Sequence, residues 1–550
     1  MKRFWGWGIE EAGAKEPERQ FLQLTLEQQF DMPLERTAPP TLDEISLPPP
    51  RLTAPVSLQG MLRDDVLARA GHSYGKSYAD VVRAVARHFP HPPDLVAYPS
   101  TESELVSVLD WCASSNIAIV PYGGGTSVVG GVETDIGEGY RGCVTIDLSY
   151  LDKVVEVDTT SLSALIQAGA TGPAIDAQLS KYGLTLRHYP QSFEFSTLGG
   201  WIATRAAGHY ATVYTHIDEM VESLRVISPS GIVETRRLPA SGAGPSPDRF
   251  FIGSEGTLGI ITEAWMRVQR KPTYRVSRGV FFDNFNEGVE CVKELAQSGL
   301  YPTNCRLLDP GEALLSGSGD GMKAVLILGF ESADHRVEAV MSRGMEICAA
   351  HGGSLTESVG SRNGVSVTEI SSSADVDSRS VSKWKDSFIR APYLRDELVL
   401  MGIIVETFET AVTWDHFDEL DEAVIKAVRG AFAYATGSKG WITRRFTHIY
   451  PDGPAVYYTV VAPGRAGAEL EQWRTIKQAA SEAVLANFGT ITHHHAVGRD
   501  HRRWYELERP YLFAEILAAA KKVLDPGWVM NPGVLIEQPK NYGALSIVGH

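Results

Sequence analysis

The chain is poor in cysteine, in positive charge and in long apolar runs, and each shortage removes a class of protein. Five cysteines occur in 550 residues. Cys112, Cys143, Cys291, Cys305 and Cys348 are widely spaced and form no C-x-x-C pair. That excludes a disulfide scaffold, a zinc ribbon or a dithiol motif and fits a reducing compartment such as the cytosol. Lys and Arg number 51 against 67 Asp and Glu, a formal charge of −16, which repels a polyanion from most of the surface, so no nucleic-acid partner is expected. The longest evident apolar stretch, Leu398 to Val405, falls far short of the ~20 residues that span a bilayer. The basic start Met1-Lys2-Arg3 runs into Glu10-Glu11 with no signal-peptide core between them. A cytoplasmic protein with, at most, peripheral membrane contact is expected. No internal repeat is visible, and 52 Gly with 30 Pro stay below the level of low complexity.

A chain of this length holds roughly two to four domains of about 100–200 residues. Residues 1–90 are expected to be a helical and linker segment that wraps or tethers, because Pro39, Pro40, Pro48, Pro49, Pro50 and Pro55 favour extended backbone. From 91 to 270 short apolar runs alternate with helical patterns, the texture of an α+β nucleotide-binding unit. Thr101 and Glu104 stand at capping-box spacing, and Leu105, Val108, Leu109 and Cys112 then line one helical face. Pro173 suits the first turn of a helix that stops by Gly183. A second α+β domain is expected over 271–490, with Leu398–Val405 as a strand and Gly317, Gly319 and Gly321 in a mobile loop. Residues 491–550 are read as a helical segment closing the active site.

Two motifs mislead. Gly71-His72-Ser73-Tyr74-Gly75 matches the G-x-S-x-G nucleophile elbow, but the charged stretch before it is no buried strand. Gly75-Lys76-Ser77 imitates a phosphate loop, yet only three residues separate Gly71 from Gly75 where that motif needs four. The plainer reading makes Ser77 the cap of a helix starting near Tyr78.

More informative is the run Ala118-Ile119-Val120, which enters Pro121-Tyr122-Gly123-Gly124-Gly125-Thr126-Ser127. Three glycines let backbone N–H groups converge on an anion without Cβ obstruction. Alone this also describes a surface turn. Ser196-Thr197-Leu198-Gly199-Gly200-Trp201 and Gly253-Ser254-Glu255-Gly256-Thr257-Leu258-Gly259 follow it in order. Together the three segments resemble the FAD-binding domain of the vanillyl-alcohol oxidase and p-cresol methylhydroxylase superfamily. Arg187 to Trp201, Glu406-Thr407-Phe408-Glu409-Thr410, Thr447-His448-Ile449-Tyr450 and His493-His494-His495-Ala496-Val497-Gly498 resemble the alkylglycerone-phosphate synthase family more specifically, and Gly6-Trp7-Gly8 also fits.

The resemblance implies an α+β fold, with a two-part FAD-binding domain and an α+β cap. It implies non-covalent FAD, held by Pro121, Tyr122, Gly123, Gly124, Gly125, Thr126 and Ser127; by Gln191, Ser192, Phe193, Glu194, Phe195, Ser196 and Thr197; by Thr204, Arg205, Ala206 and Ala207; and by Glu255, Gly256, Thr257, Leu258, Gly259, Ile260 and Ile261. Tyr457 is implied as acid/base, Arg395 as ligand of the substrate phosphate, and His188, Arg306, His493, His494 and His495 as groups supporting activity. The implied partners are a phosphorylated lipid-like substrate and a long-chain alcohol, in a homodimeric enzyme. Physically, a guanidinium clamps phosphate with two bonds, and a phenol shuttles a proton if nearby cations lower its pKa.

Each residue also has an ordinary reading. Tyr457 on a strand is commonly core, and Arg395 next to Asp396 and Glu397 is commonly a surface pair. No metal is expected, since strand alternation would turn His494 away from His493 and His495. The chain departs from the family within His209 to His216, and Ala496 stands where a glycine is usual. It ends Val548-Gly549-His550 without a peroxisomal tripeptide. Ether-lipid synthesis, in which the acyl group of an acyl-dihydroxyacetone phosphate is exchanged for a long-chain alcohol, is the leading expectation, and an FAD-linked oxidase or dehydrogenase of a 2-hydroxy acid and a flavin-binding protein without catalysis stay open beside it.

Overall fold

The computed structural model describes residues 2–210, 216–355, 374–437 and 440–537, and for 374–386 the backbone alone. Ala211 to Thr215, within the segment that departs from the family, and the C-terminal tripeptide lie outside these residues.

Buried apolar runs build the first half. Leu95–Ala97, Cys143–Asp147 and Ala118–Tyr122 form a parallel sheet with Cys143–Asp147 central, and Leu62–Arg63 adds an antiparallel edge. Cys143–Asp147 is buried along its whole length, the pattern of a strand covered on both faces. The helix Glu102–Ser114 begins where Thr101 Oγ1 accepts the Glu104 N–H at 3.2 Å, and it buries Leu105, Val108, Leu109 and Cys112 as the periodicity requires. A second, antiparallel sheet runs Val154–Asp158, Ser163–Gln167, Ile260–Arg267, Val221–Ser228, Gly231–Glu234. The helix Gly172–Ser180 carries Pro173 in its first turn and is followed by Gly183 at φ +69°.

The second half is one antiparallel sheet in the order Tyr274–Phe282, Ala324–Ser332, Asn304–Leu308, Trp441–Ile449, Pro454–Pro463, Ile403–Ala411. Helices Phe285–Gln297, Glu338–Ala350, Phe417–Ala435 and Glu469–Ala486 share its main core. Both ends of the chain cross over. Trp5, Leu26, Leu34, Tyr74, Tyr78 and Val81 belong to the core of the six-stranded sheet, whereas Val497, Leu517, Val529, Met530 and Val534 belong to that of the first half. The C-terminal segment extends the parallel sheet, with Ile119 N donating to Val529 O and Asn531 N to Ile119 O, both at 2.7 Å.

Some expectations change. Leu398–Leu400 end the helix Ala374–Leu400, and only from Ile403 does the apolar run become a strand, after a turn at Gly402 with φ +71°. Hydrophobicity alone cannot separate a buried helix end from a strand. The glycine loop at 317–321 folds back on its helix: Ser318 N bonds Ala313 O at 2.9 Å, and Ser316 Oγ meets Ser318 Oγ at 3.0 Å. Two helices, Arg502–Glu508 and Tyr511–Leu524, with Pro510 between them, make up the helical tail. Ser73 is no nucleophile; its hydroxyl is buried and donates to Arg69 O at 2.8 Å. Ser77 caps the helix Tyr78–Val85 by accepting the Asp80 N–H at 3.0 Å. All five cysteines are buried thiols, and no described helix is long and apolar enough to cross a membrane.

Candidate active site

Backbone approach decides the glycine loop. A Cβ on Gly124 would lie 2.0 Å from Phe195 O and 2.8 Å from Ser196 Cα, and one on Gly123 would lie 2.2 Å from Thr197 Oγ1. Only Gly125 of the three takes a left-handed φ, +68°. The requirement at Gly124 is therefore space and not positive φ. Gly256 also sits close to Pro121, at 2.8 Å from Pro121 Cγ to a Cβ. Glu255 N bonds Ala203 O at 2.9 Å, and the Glu255 carboxylate accepts the N–H groups of Val497 and Gly498 at 2.9 and 2.8 Å. Residues 121–127, 195–197, 203–205 and 253–256 thus meet in one cradle.

That cradle fits FAD. Its glycines let the backbone of 123–125 close on residues 195–197, and among the described residues Thr197 Oγ1 is buried there without a hydrogen-bond partner, available to a pyrophosphate. Pro121 to Ser127 and Phe195 to Thr197 would hold the cofactor. Among the other implied contacts, Arg205 is half exposed with its side chain on Asp218 at 3.2 Å, and the side chains of Leu258, Ile260 and Ile261 lie in the core. Gly124→Val should leave the purified protein without bound FAD, checked by the flavin absorbance of the folded fraction. Full loading would place the cofactor elsewhere.

The acid/base groups come from the cap sheet. Register pairs Tyr457 with Glu409 on one side and Arg445 on the other, so all three stand in one row on one face. Tyr458, its neighbour, points the opposite way, stacked on Phe408 at 5.0 Å and bonded to Asp421 at 3.0 Å. The Arg445 guanidinium lies 3.8 Å over the Tyr457 ring and pairs with Glu312. Burial raises the Tyr457 pKa, and Arg445 opposes this without reversing it. The expected lowering by cations does not occur, and the phenol is held protonated. Arg306, wholly buried, is pushed down to about 9 by burial and then by Arg445.

The three histidines are not on a strand. Thr492 to His495 form a turn wrapped around Glu409, whose carboxylate accepts the N–H groups of His493, His494 and His495 at 2.5, 3.0 and 2.8 Å and the Thr492 hydroxyl at 2.7 Å. Their rings therefore converge, contrary to the alternation expected, because three consecutive amides aimed at one anion impose a turn. His493 Nδ1 meets His494 Nδ1 at 3.1 Å, and His493 Nε2 meets Tyr450 Oη at 2.8 Å and His216 Nε2 at 3.0 Å. Tyr457 lies 5.5 Å from the His495 ring and 6.2 Å from that of His494, centre to centre. Burial, then His216, takes the His493 pKa down to about 3, and burial lowers His494 and His495 as well. The rings are neutral near pH 7, each with one donor and one acceptor nitrogen, which suits proton relay. Ligand-capable atoms of His448, His493 and His494 lie within 4.8 Å of one another, as do those of Glu409, His494 and His495; these are the residues placed to hold a metal, so the geometric reason for expecting none no longer applies.

His188 packs on Trp201 at 4.8 Å, and burial takes its pKa down to about 3. Arg395 does not touch the histidines; it bonds Lys76 O at 2.5 Å and Asp396 at 3.2 Å, beside the glycine loop. Residue reasoning missed Glu409, Arg445, Tyr450, His216 and Lys76. Glu409, His448 and Tyr450 stood inside matched segments but carried no role. A cavity of about 850 Å³, lined by Val412, Tyr450, Leu485, Phe488 and Leu507 among others, opens against Tyr450.

Comparison with known proteins follows the same division. Residues 93–236 match the family described as FAD binding domain, and 271–535 that described as FAD linked oxidases, C-terminal domain. The chain is 30% identical over 506 residues to alkyldihydroxyacetonephosphate synthase of Trypanosoma brucei brucei, covering 90% of this chain and 82% of that one. It is 31% identical over 530 residues to the synthase of Dictyostelium discoideum, covering 94% and 86%. A solved alkyldihydroxyacetonephosphate synthase superposes with a TM-score of 0.77 at 26% identity, covering 96% of this chain and 98% of that one. p-Cresol methylhydroxylase, at 14% identity, TM-score 0.64 and coverage of 87% and 94%, shares the fold.

Proposed function

The chain belongs to the alkyldihydroxyacetonephosphate synthase family, and from that premise we propose that it exchanges the acyl group of an acyl-dihydroxyacetone phosphate for a long-chain alcohol, using FAD and with no net redox change. The observation that carries the reading is the buried row Glu409, Tyr457 and Arg445 facing the converged histidine turn.

FAD, when bound in the cradle, supplies the organic centre at which the substrate's carbon–oxygen bond is exchanged. The protein's own groups do the rest. Tyr457, protonated in the resting site, gives or takes a proton at Oη; neutral His494 and His495 accept one at a ring nitrogen as the alcohol loses its hydroxyl proton. Arg306 and Arg445 favour the departing carboxylate. Burial around Tyr457, which is 5% exposed, excludes water that would otherwise compete with the alcohol. The cavity beside Tyr450 has apolar walls suited to an alkyl chain, and Arg395 is assigned to the substrate phosphate. Cytoplasmic location, a homodimer and peripheral membrane contact complete the reading; light scattering and vesicle sedimentation check the last two.

Purified holoenzyme mixed anaerobically with acyl-dihydroxyacetone phosphate and hexadecanol should yield alkyl ether and free fatty acid without lasting flavin bleaching. Lasting bleaching by 2-hydroxy acids with no ether formed would instead establish an oxidoreductase.

A further inference from the structure

The stretch Gly75-Lys76-Ser77, which imitates a phosphate loop in sequence, lies against the glycine loop itself. Lys76 N donates to Ser127 O at 2.6 Å, and a Cβ on Gly75 would come within 2.4 Å of the same oxygen. The chain is thereby pressed onto the end of the loop, and the next side chain is a lysine. Lys76 is 4% exposed, and among the described residues its ammonium has neither a hydrogen-bond nor an ion-pair partner.

Two more cations gather there. Arg395 Nη1 donates to Lys76 O, and among the described residues the buried Arg395 Nε has no hydrogen-bond partner. Lys2 Nζ donates to Gly124 O at 2.8 Å. The neighbouring carboxylates are engaged elsewhere. Asp396 accepts the Trp7 N–H at 2.5 Å and a bond from Arg395, while Asp80 accepts the Ser77 N–H at 2.9 Å and a bond from Arg83 at 2.7 Å. Burial first, then Lys2, lowers the Lys76 pKa to about 8, so the group is still largely charged at neutral pH. A buried ammonium whose nearby carboxylates, Asp396 and Asp80, are bonded to other groups is costly, and an incoming anion offsets that cost.

We propose that Lys76, with Lys2 and Arg395, forms a phosphate-binding site at the end of the glycine loop. The ligand is a phosphoryl group. It belongs to the substrate, which rests on the function proposed above, or to the pyrophosphate of FAD. A lysine serves either as a compact point charge.

The test uses the full-length, FAD-loaded protein with Lys76→Met, which keeps the apolar stem, and Lys76→Arg, which restores charge. FAD affinity is read by flavin fluorescence; binding of inorganic phosphate and of dihydroxyacetone phosphate is read by flavin difference absorbance and by the rise in melting temperature. Lys76→Met should weaken one of these by about 10–100-fold, with Lys76→Arg recovering most of the loss. Its ligand-free melting temperature should not fall, since an unpaired buried charge has gone; a structural lysine would show the reverse. Weakened phosphate and dihydroxyacetone phosphate with unchanged FAD assigns the site to substrate; weakened FAD assigns it to the pyrophosphate. Wild-type affinity for all three ligands overturns the proposal. Neither arm uses turnover, so a failed synthase assay leaves both readable. Should Lys76→Met not fold, Lys2→Met must show the same direction of effect, and its indifference overturns the site equally.

Discussion

Tyr457→Phe is expected to lower turnover by about two to four orders of magnitude while FAD content and melting temperature hold. The substitution removes one hydroxyl and keeps the ring that Arg445 covers at 3.8 Å. Packing is therefore retained, and only the proton carrier is lost. Tyr458→Phe is the control, and it should fail differently. Its hydroxyl bonds Asp421 at 3.0 Å on the far side of the sheet, so its loss leaves a buried carboxylate short of a donor and costs about 1–3 kcal/mol of stability. Its turnover should stay near wild type. Steady-state rates and thermal melts of the two variants decide the matter, and equal losses of turnover would remove Tyr457 from the chemistry.

Glu409→Gln should cut turnover by about two orders of magnitude and also lower stability. Glu409 is 1% exposed and accepts three consecutive backbone N–H groups and the Thr492 hydroxyl. An amide of the same shape offers one acceptor oxygen and turns its NH₂ toward donors, leaving N–H groups unsatisfied at about 1–3 kcal/mol. The histidine rings then lose their common anchor. Burial by itself raises a carboxyl pKa, but the rings of His494, His495 and His493, once acid charges them, and the His494 N–H overcome this and hold Glu409 well below the carboxylate range. A folded pKa below the unfolded value contributes stability that is full above about pH 4.3 and lost as pH falls through the folded pKa. The gap in melting temperature between wild type and Glu409→Gln should accordingly be constant at neutral pH and shrink only in acid. A pH-independent gap, or unchanged turnover, would show that the carboxylate does not organise the turn.

Much of the site was legible before any coordinates. Tyr457 and Tyr458 had to face opposite sides of a strand because side chains alternate there, and they do. Thr101 and Ser77 had to start helices because their hydroxyls offer the acceptor that a first turn lacks, and both do so. The same alternation rule failed at His493 to His495. It was applied to a segment whose backbone is dictated by Glu409, 84 residues earlier than His493. The spacing of Gly75-Lys76-Ser77 does not match a phosphate loop, yet spacing says nothing about which distant loop a lysine will lie against.

The sequence by itself determined the helix starts at Thr101 and Ser77 and the glycine turns, and through matched segments the family and FAD. These follow from local rules: periodicity, caps, and the need for residues without Cβ where backbones close in. Only the tertiary structure decided that Glu409, Tyr457 and Arg445 share a row, that both chain ends cross into the opposite core, and that Lys76 meets the glycine loop. Strand register is fixed by packing between segments far apart in the chain, and the charge on a buried group is set by whatever the rest of the fold places around it.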